Sequence, residues 1–181
     1  MARQVIFLDM DGVLLPFSTE PLSDKEESNL FPSSTLQPLQ RLWKYVTDPS
    51  GYPNGSTTKV EWVLSSTWRV QPSYIRDIER ALREFGIPLE FSDITDPTMH
   101  SERQWEIYDW LAVKHNLLQK PCVWLALDDE DLLEGDNNAE HCPFFQGHVV
   151  RTQSQVGLSE GDVDRAIALW NQQLEAIQAK E

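Results

Sequence analysis

Residues 5–13 read Val-Ile-Phe-Leu-Asp-Met-Asp-Gly-Val, and this stretch decides the fold. The apolar run that ends at Leu8 begins with β-branched residues, which is typical of a strand buried on both faces of a parallel sheet. Asp9 and Asp11 follow this strand directly. Ligands of such sheets bind beyond the carboxyl ends of the strands, so these two carboxylates mark a predicted functional site.

Two further apolar runs also end in polar residues. Residues 60–64 precede Ser65 and Ser66, and residues 122–127 precede Asp128 and Asp129. Weaker strand patterns occur at 89–91 and 148–150, and apolar residues recur at helical spacing between the strands and after the last one. This alternation predicts an α/β fold of three layers, with helices on both faces of an open, mostly parallel sheet.

Length and composition predict one domain that spans residues 1–181. Residues 13–34 form an insertion with three prolines and no hydrophobic period over most of its length, so we expect a flap there. The insertion is shorter than the roughly 40 residues that an independently folding unit needs, so a minimal cap or none is expected. The site would then be open, and a large substrate or a second copy of the chain could cover it.

The charge balance limits the partners. The chain has 15 Lys and Arg against 29 Asp and Glu, a net charge of −14, which repels nucleic acid. The arginines that cluster along one helix edge are Arg69, Arg76, Arg80 and Arg83. A small phosphorylated substrate remains compatible, because a bound divalent cation inverts the local sign. The sequence has no apolar run of 18 residues, so no membrane partner is expected. Two cysteines and no secretory signal favour the cytoplasm.

Several carboxylates at one sheet edge cannot all stay ionised without a counterion. Magnesium prefers carboxylate oxygens, carbonyl oxygens and phosphate, so Mg²⁺ is the expected cofactor. Side chains two residues apart on a strand point the same way, which places Asp9 and Asp11 together. One carboxylate could attack phosphorus while the other moves a proton.

Four motifs in this order resemble those of the haloacid dehalogenase-like (HAD) hydrolase superfamily. The first is Asp9-Met10-Asp11-Gly12-Val13, and the others are represented by Ser65, Arg103 and the pair Asp128-Asp129. The narrower pattern SSTWR, residues 65–69, resembles that of a small, nearly capless branch. The resemblance implies a HAD-type Rossmann-like fold and a phosphatase-type reaction.

The resemblance also implies a role for each motif. Asp9 would be the nucleophile and Asp11 the general acid and base. Magnesium would be held by Asp9, the backbone carbonyl of Asp11, and Asp129, with Asp128 as a further ligand or a neighbour of one. Ser65 and Arg103 would bind the phosphoryl oxygens. Ser66 or Thr67 could replace Ser65, and Lys114 or Lys120 could replace Arg103.

The predicted function is therefore a magnesium-dependent phosphohydrolase that acts on a phosphate monoester through an aspartyl-phosphate. The alternatives are a non-catalytic binding or regulatory protein with the same fold, and a polynucleotide-end phosphatase. We expect specificity to come from Trp68, Arg69 and the flap around Phe17 and Phe31.

Overall fold

A computed structural model describes residues 2–17, 29–48, 59–96, 98, 102–117, 119–134 and 142–179. Five parallel strands form one sheet. The strands are β1 (Arg3–Leu8), β2 (Glu61–Leu64), β3 (Phe91–Ile94), β4 (Cys122–Asp128) and β5 (Val149–Arg151). The α-helices are α1 (Ser33–Thr47), α2 (Pro72–Glu84), α3 (Arg103–Asp109), α4 (Cys142–Phe145) and α5 (Glu160–Gln178). A short 3₁₀ helix spans Thr67–Val70, and a π-helical turn, Trp110–Lys114, extends α3.

The ends of two helices follow from local chemistry. Pro72 is the first residue of α2, where its missing N–H removes no helical hydrogen bond. Ser159 and Asp162 form a capping box at the start of α5. Such a cap satisfies backbone N–H groups that have no partner within the helix.

The sheet is covered on both faces, which gives the predicted three layers. One face packs Ile6, Leu8 and Leu64 against α1, α2 and α5. The other face packs Phe7 and Val63 against α3, its π-helical turn and α4. Residues alternate between the two faces along β1 and β2, so both sides of these strands are apolar and buried.

The strand order is β3-β2-β1-β4-β5, with β1 at the centre. The chain adds β2 and β3 on one side of β1 and then crosses to add β4 and β5 on the other side. The order therefore switches between β1 and β4, and the crevice at such a switch is where open α/β sheets bind ligands.

The predicted fold class is confirmed, and every strand pairing is parallel. The strand predicted at 89–91 is displaced to Phe91–Ile94, and the segment between β4 and β5 contains α4. Residues 18–28 of the predicted flap lie outside the described residues. Among the residues described, no helix combines the length and apolarity that a membrane span requires.

Candidate active site

A row of polar residues lies at the carboxyl end of the sheet. Leu8 is in register with Leu64 and with Leu127, so Ser65, Asp9 and Asp128 come next at the same level. Backbone hydrogen bonds continue the pairing at this level, from Ser65 N to Leu8 O and from Asp9 N to Leu127 O. Because the three leucines face α1, α2 and α5, the next residues face α3.

Three carboxylates of this edge form one group. Asp9, Asp128 and Asp129 each have a carboxylate oxygen within 4.8 Å of the other two. Asp9 and Asp128 are buried, and Asp129 is half-buried. The register brings the first two together, and Asp129 follows on the loop after β4. The sequence-predicted acids of strands β1 and β4 therefore meet at the switch point.

Arg103, the first residue of α3, reaches this group from the covering layer. Its Nη2 lies 3.4 Å from Asp9 Oδ1, and its Nε lies 2.9 Å from Asp128 Oδ2. Among the described residues the Nε and Oδ2 atoms have no hydrogen-bond partner of good geometry, so their contact is a close charge pair. Burial lowers the pKa of Arg103, but Asp128, Asp9 and Glu106 outweigh it and raise the pKa above its ordinary value.

Glu106 links Arg103 to a second buried arginine. Its Oε2 lies 2.9 Å from Arg103 Nη1, and its Oε1 lies 2.6 Å from Arg69 Nη2. Arg69 also donates to the backbone carbonyls of Ser66 and Thr95, at 2.7 and 3.2 Å. These three charged side chains are almost fully buried. Glu106 therefore fixes the orientation of Arg103. Their i,i+3 spacing predicts a pair on the helix surface, whereas the pair is buried and extends to Arg69.

The two predicted serines have different surroundings. Ser65 Oγ is buried and has no hydrogen-bond partner among the described residues. The Ser66 hydroxyl lies near the carboxylate of Asp9 and lowers its pKa, and it accepts a hydrogen bond from the backbone N–H of Trp68 at 3.4 Å. A buried hydroxyl without a partner is costly, so Ser65 is well suited to donate to a bound ligand. Thr67 is exposed at the start of the 3₁₀ helix.

The carboxylate of Asp11 stands apart from the three-carboxylate group. Trp68 Nε1 donates to Asp11 Oδ2 at 3.0 Å. The indole ring of Trp68 lies near the rings of Phe31 and Tyr74, with centroids 6.2 and 5.8 Å away. Aromatic neighbours on two sides restrict the ring, which in turn fixes the position of the carboxylate.

Gly12 lets Asp129 approach the first motif. Its φ of +70° lies in the left-handed region that favours glycine. A Cβ at this position would lie 2.3 Å from Asp129 Oδ2. Thr152 Oγ1 also donates to the Gly12 carbonyl at 2.8 Å. The glycine thus allows both the turn after Asp11 and the packing of Asp129 on it.

The pKa values of the acidic group reflect its burial. Burial raises the pKa of Asp9 to about 6, while Arg103, Met10 N–H and Ser66 lower it. Burial also raises the pKa of Asp128 well above its ordinary value, although Arg103 opposes the shift. Both carboxylates therefore hold protons at a higher pH than exposed aspartates do.

The donor set fits a hard divalent cation. Three carboxylates meet, and Asp128 Oδ2 is a buried oxygen without a hydrogen-bond donor of good geometry. Arg69 and Glu106 neutralise each other, and Arg103 offsets one of the three negative charges of the acidic group. Two negative charges therefore remain for a cation to balance. Oxygen ligands without histidine or cysteine are the set that magnesium prefers.

The alternatives for Arg103 lie elsewhere. Lys120 is exposed and precedes the amino end of β4, the opposite end of the strand from Asp128. Lys114 pairs with Asp93 through Nζ and Oδ2 at 2.8 Å. The expectation that Arg69 contacts substrate is wrong, because its guanidinium is buried in the hydrogen bonds described above.

The two aromatic residues predicted to shape specificity from the flap, Phe17 and Phe31, differ in exposure. Phe31 is buried, whereas Phe17 is 55% exposed. Phe17 is therefore the one of the two that could contact a substrate.

Comparison with known proteins gives one family. A family model described as "HAD domain in Swiss Army Knife RNA repair proteins" matches residues 5–163. This match covers β1 from Val5 onward, the whole of the other four strands and each of the polar residues in the row. Neither the curated proteins nor the solved structures give a match.

Proposed function

Because the chain belongs to the family of HAD domains in Swiss Army Knife RNA repair proteins, we propose that it is a magnesium-dependent phosphohydrolase. In this proposal a phosphate monoester is hydrolysed through an aspartyl-phosphate on Asp9. Family membership supports phosphatase-type activity in general. The observation that carries the specific proposal is the meeting of Asp9, Asp128 and Asp129 at the switch point, beside Arg103.

In the first step a carboxylate oxygen of Asp9 attacks phosphorus. A bond forms between this oxygen and phosphorus, and the bond from phosphorus to the alcohol oxygen breaks. Asp11 gives its proton to the departing alcohol. The hydrogen bond from Trp68 holds the Asp11 carboxylate apart from the three-carboxylate group. In this position Asp11 can transfer its proton to the departing alcohol.

In the second step water attacks the same phosphorus. Asp11 takes a proton from the water, and the bond between phosphorus and Asp9 breaks. Inorganic phosphate leaves, and Asp9 returns to its carboxylate form. Asp11 is protonated again, so the cycle is balanced.

The phosphoryl oxygens need donors during both steps. Ser65 Oγ is a buried donor without a partner among the described residues. Arg103 Nη2 makes only a long contact of 3.4 Å with Asp9, so it could also donate to a phosphoryl oxygen. A magnesium ion held by Asp9, Asp128 and Asp129, with the backbone carbonyl of Asp11, would supply further positive charge.

The test is release of phosphate from p-nitrophenyl phosphate. The wild type should be active with Mg²⁺ and inactive with EDTA, and Asp9→Asn should be inactive. Asp77→Asn, a half-buried aspartate on α2 that pairs with Arg80 away from the site, is the matched control and should retain activity. Unchanged activity in Asp9→Asn would reject the nucleophile. Magnesium binding without turnover of any phosphate ester would favour the non-catalytic alternative.

A small phosphorylated molecule is the substrate class that the net charge of −14 favours. A polynucleotide end is the second candidate, because the matching family is described from RNA repair proteins. Phosphate release from a short oligonucleotide with a terminal phosphate, compared with release from small phosphate esters, separates the two. We also propose that the open site could be covered by a second copy of the chain, which sedimentation of the protein would test.

A further inference from the structure

A polar cavity adjoins the acidic group on the β5 side of the sheet. Its volume is about 590 Å³, within the range of sites that hold small molecules. Asp129 lines it, and so do Arg151 from the end of β5 and Arg165 from α5. Gln153 and Gln155, on the loop between these elements, add amide groups to the wall.

The register places Arg151 on the same polar row as Asp9. Asp128 pairs with Arg151 across β4 and β5, and Asp9 lies next to Asp128 on the central strand. Two strand spacings therefore separate Arg151 from Asp9, a distance of roughly 10 Å at the backbone. Arg151 Nε also donates to the Asp129 carbonyl at 3.3 Å, which ties it to the loop of the acidic group.

Both arginines keep donors that a ligand could use. Arg151 Nη1 pairs with Asp131 at 2.6 Å, and Arg165 Nη2 pairs with Asp162. Both arginine side chains are more than half exposed, so the N–H groups that these pairs do not use can reach a ligand in the cavity. A guanidinium has five N–H donors and binds phosphate through two of them at once.

The geometry points to a subsite for the leaving group, in which Arg151 and Arg165 bind a second phosphate of the substrate. This inference rests on the proposed function, since it places the reacting phosphate at Asp9. In a chain with a strong negative charge, two arginines beside the acidic group favour a ligand with an anionic group at that distance. An oligonucleotide and a small bisphosphate both have this chemistry.

The test compares substrates with and without a second phosphate. The substrates are p-nitrophenyl phosphate, a nucleoside 3′,5′-bisphosphate and a short oligonucleotide with a terminal phosphate. The variant is Arg151→Gln with Arg165→Gln. The matched control is Arg80→Gln, an exposed arginine on α2 that pairs with Asp77.

We expect the double variant to lower kcat/KM for the bisphosphate or the oligonucleotide about tenfold more than for p-nitrophenyl phosphate. The effect should appear mainly in KM and weaken with added salt. Arg80→Gln should leave all three values unchanged. A loss of kcat/KM confined to the oligonucleotide would identify a polynucleotide as the ligand of the subsite. A loss shared with the bisphosphate would identify the second phosphate as the group that the arginines bind.

Direct binding separates failure of this inference from failure of the proposed function. Calorimetry in the presence of Mg²⁺ measures the affinity of the cavity for the bisphosphate, whether or not turnover occurs. Binding that requires both arginines, without hydrolysis of any ester, would contradict the proposed function and support the subsite. Hydrolysis of p-nitrophenyl phosphate with no selective effect of the double variant would overturn the subsite alone.

Discussion

The indole N–H of Trp68 donates a 3.0 Å hydrogen bond to the carboxylate of Asp11. The bond joins the 3₁₀ helix after β2 to the loop after β1, and the two residues are 57 positions apart in the sequence. Trp68 is thus a positioning residue for the proposed acid and base, and its effect on the reaction would pass through Asp11.

Replacement of Trp68 by Phe should lower kcat for p-nitrophenyl phosphate about tenfold, with little change in KM. Phe keeps most of the ring packing but cannot donate the hydrogen bond. The same change should cost little in an Asp11→Asn background, because the group it positions is already altered. Trp43→Phe, a change on α1, is the control for losing an indole. An equal loss of kcat from Trp68→Phe in the wild type and in the Asp11→Asn variant would contradict the positioning role.

Replacement of Glu106 by Gln should lower the free energy of unfolding by about 3 kcal/mol. The variant leaves Arg69 and Arg103 buried without the carboxylate between them. Asp77→Asn removes a surface partner of Arg80 and should cost less than about 1 kcal/mol. Urea unfolding of both variants checks the comparison. Similar losses in the two would mean that the buried network contributes no more than a surface pair.

Gly12→Ala should abolish tight magnesium binding, since its Cβ would displace the carboxylate of Asp129. Gly147→Ala is a matched control. Its φ is +79° against +70° at Gly12, but no atom of the described part of the chain lies within 4 Å of where a Cβ would be. Both variants should lose stability of about 1–3 kcal/mol from backbone strain. Only Gly12→Ala should lose magnesium in calorimetry, and equal magnesium affinity in the two variants would refute the steric account.

Magnesium affinity should fall as the pH drops below about 6. Burial raises the pKa of Asp9 to about 6, so protons compete with the cation below this value. Each competing proton weakens binding roughly tenfold per pH unit. Asp128, whose pKa is also raised, should make the dependence steeper.

The raised pKa has a consequence for stability as well. In the metal-free protein the charged form of Asp9 is disfavoured by folding, so its contribution to stability decreases as the pH rises from about 4 to 6. Calorimetric titrations with Mg²⁺ between pH 5 and 8 measure the decrease in magnesium affinity at low pH. An affinity that is constant over this range would contradict the burial of the ligand set.

Most of the fold could be predicted from the sequence because the central strands are wholly apolar. The runs ending at Leu8, Leu64 and Leu127 have no other plausible place than a covered sheet, and each is followed by the polar residue that faces α3. Strand β3 was harder to place. Its residues Phe91–Ile94 are only partly buried or exposed, so the hydrophobic pattern does not define its bounds.

The part of the candidate site that follows directly from a motif at the end of a strand was predictable from the sequence. Asp9, Asp128 and Asp129 meet as expected. The roles of Glu106 and Arg69 were not predictable, because helical spacing alone does not distinguish a buried charge network from exposed pairs. Arg151 was also missed, since its position follows from a strand register that a short, weak strand does not reveal.

The most direct test of the central claim is to locate the covalent intermediate. Wild-type protein is mixed with a phosphate ester and Mg²⁺, quenched in acid and mapped by peptide mass spectrometry. The account predicts a phosphoryl group on Asp9, absent with EDTA and absent in Asp9→Asn. Hydrolysis of the ester with no phosphoryl group on Asp9, or with full activity in Asp9→Asn, would contradict it.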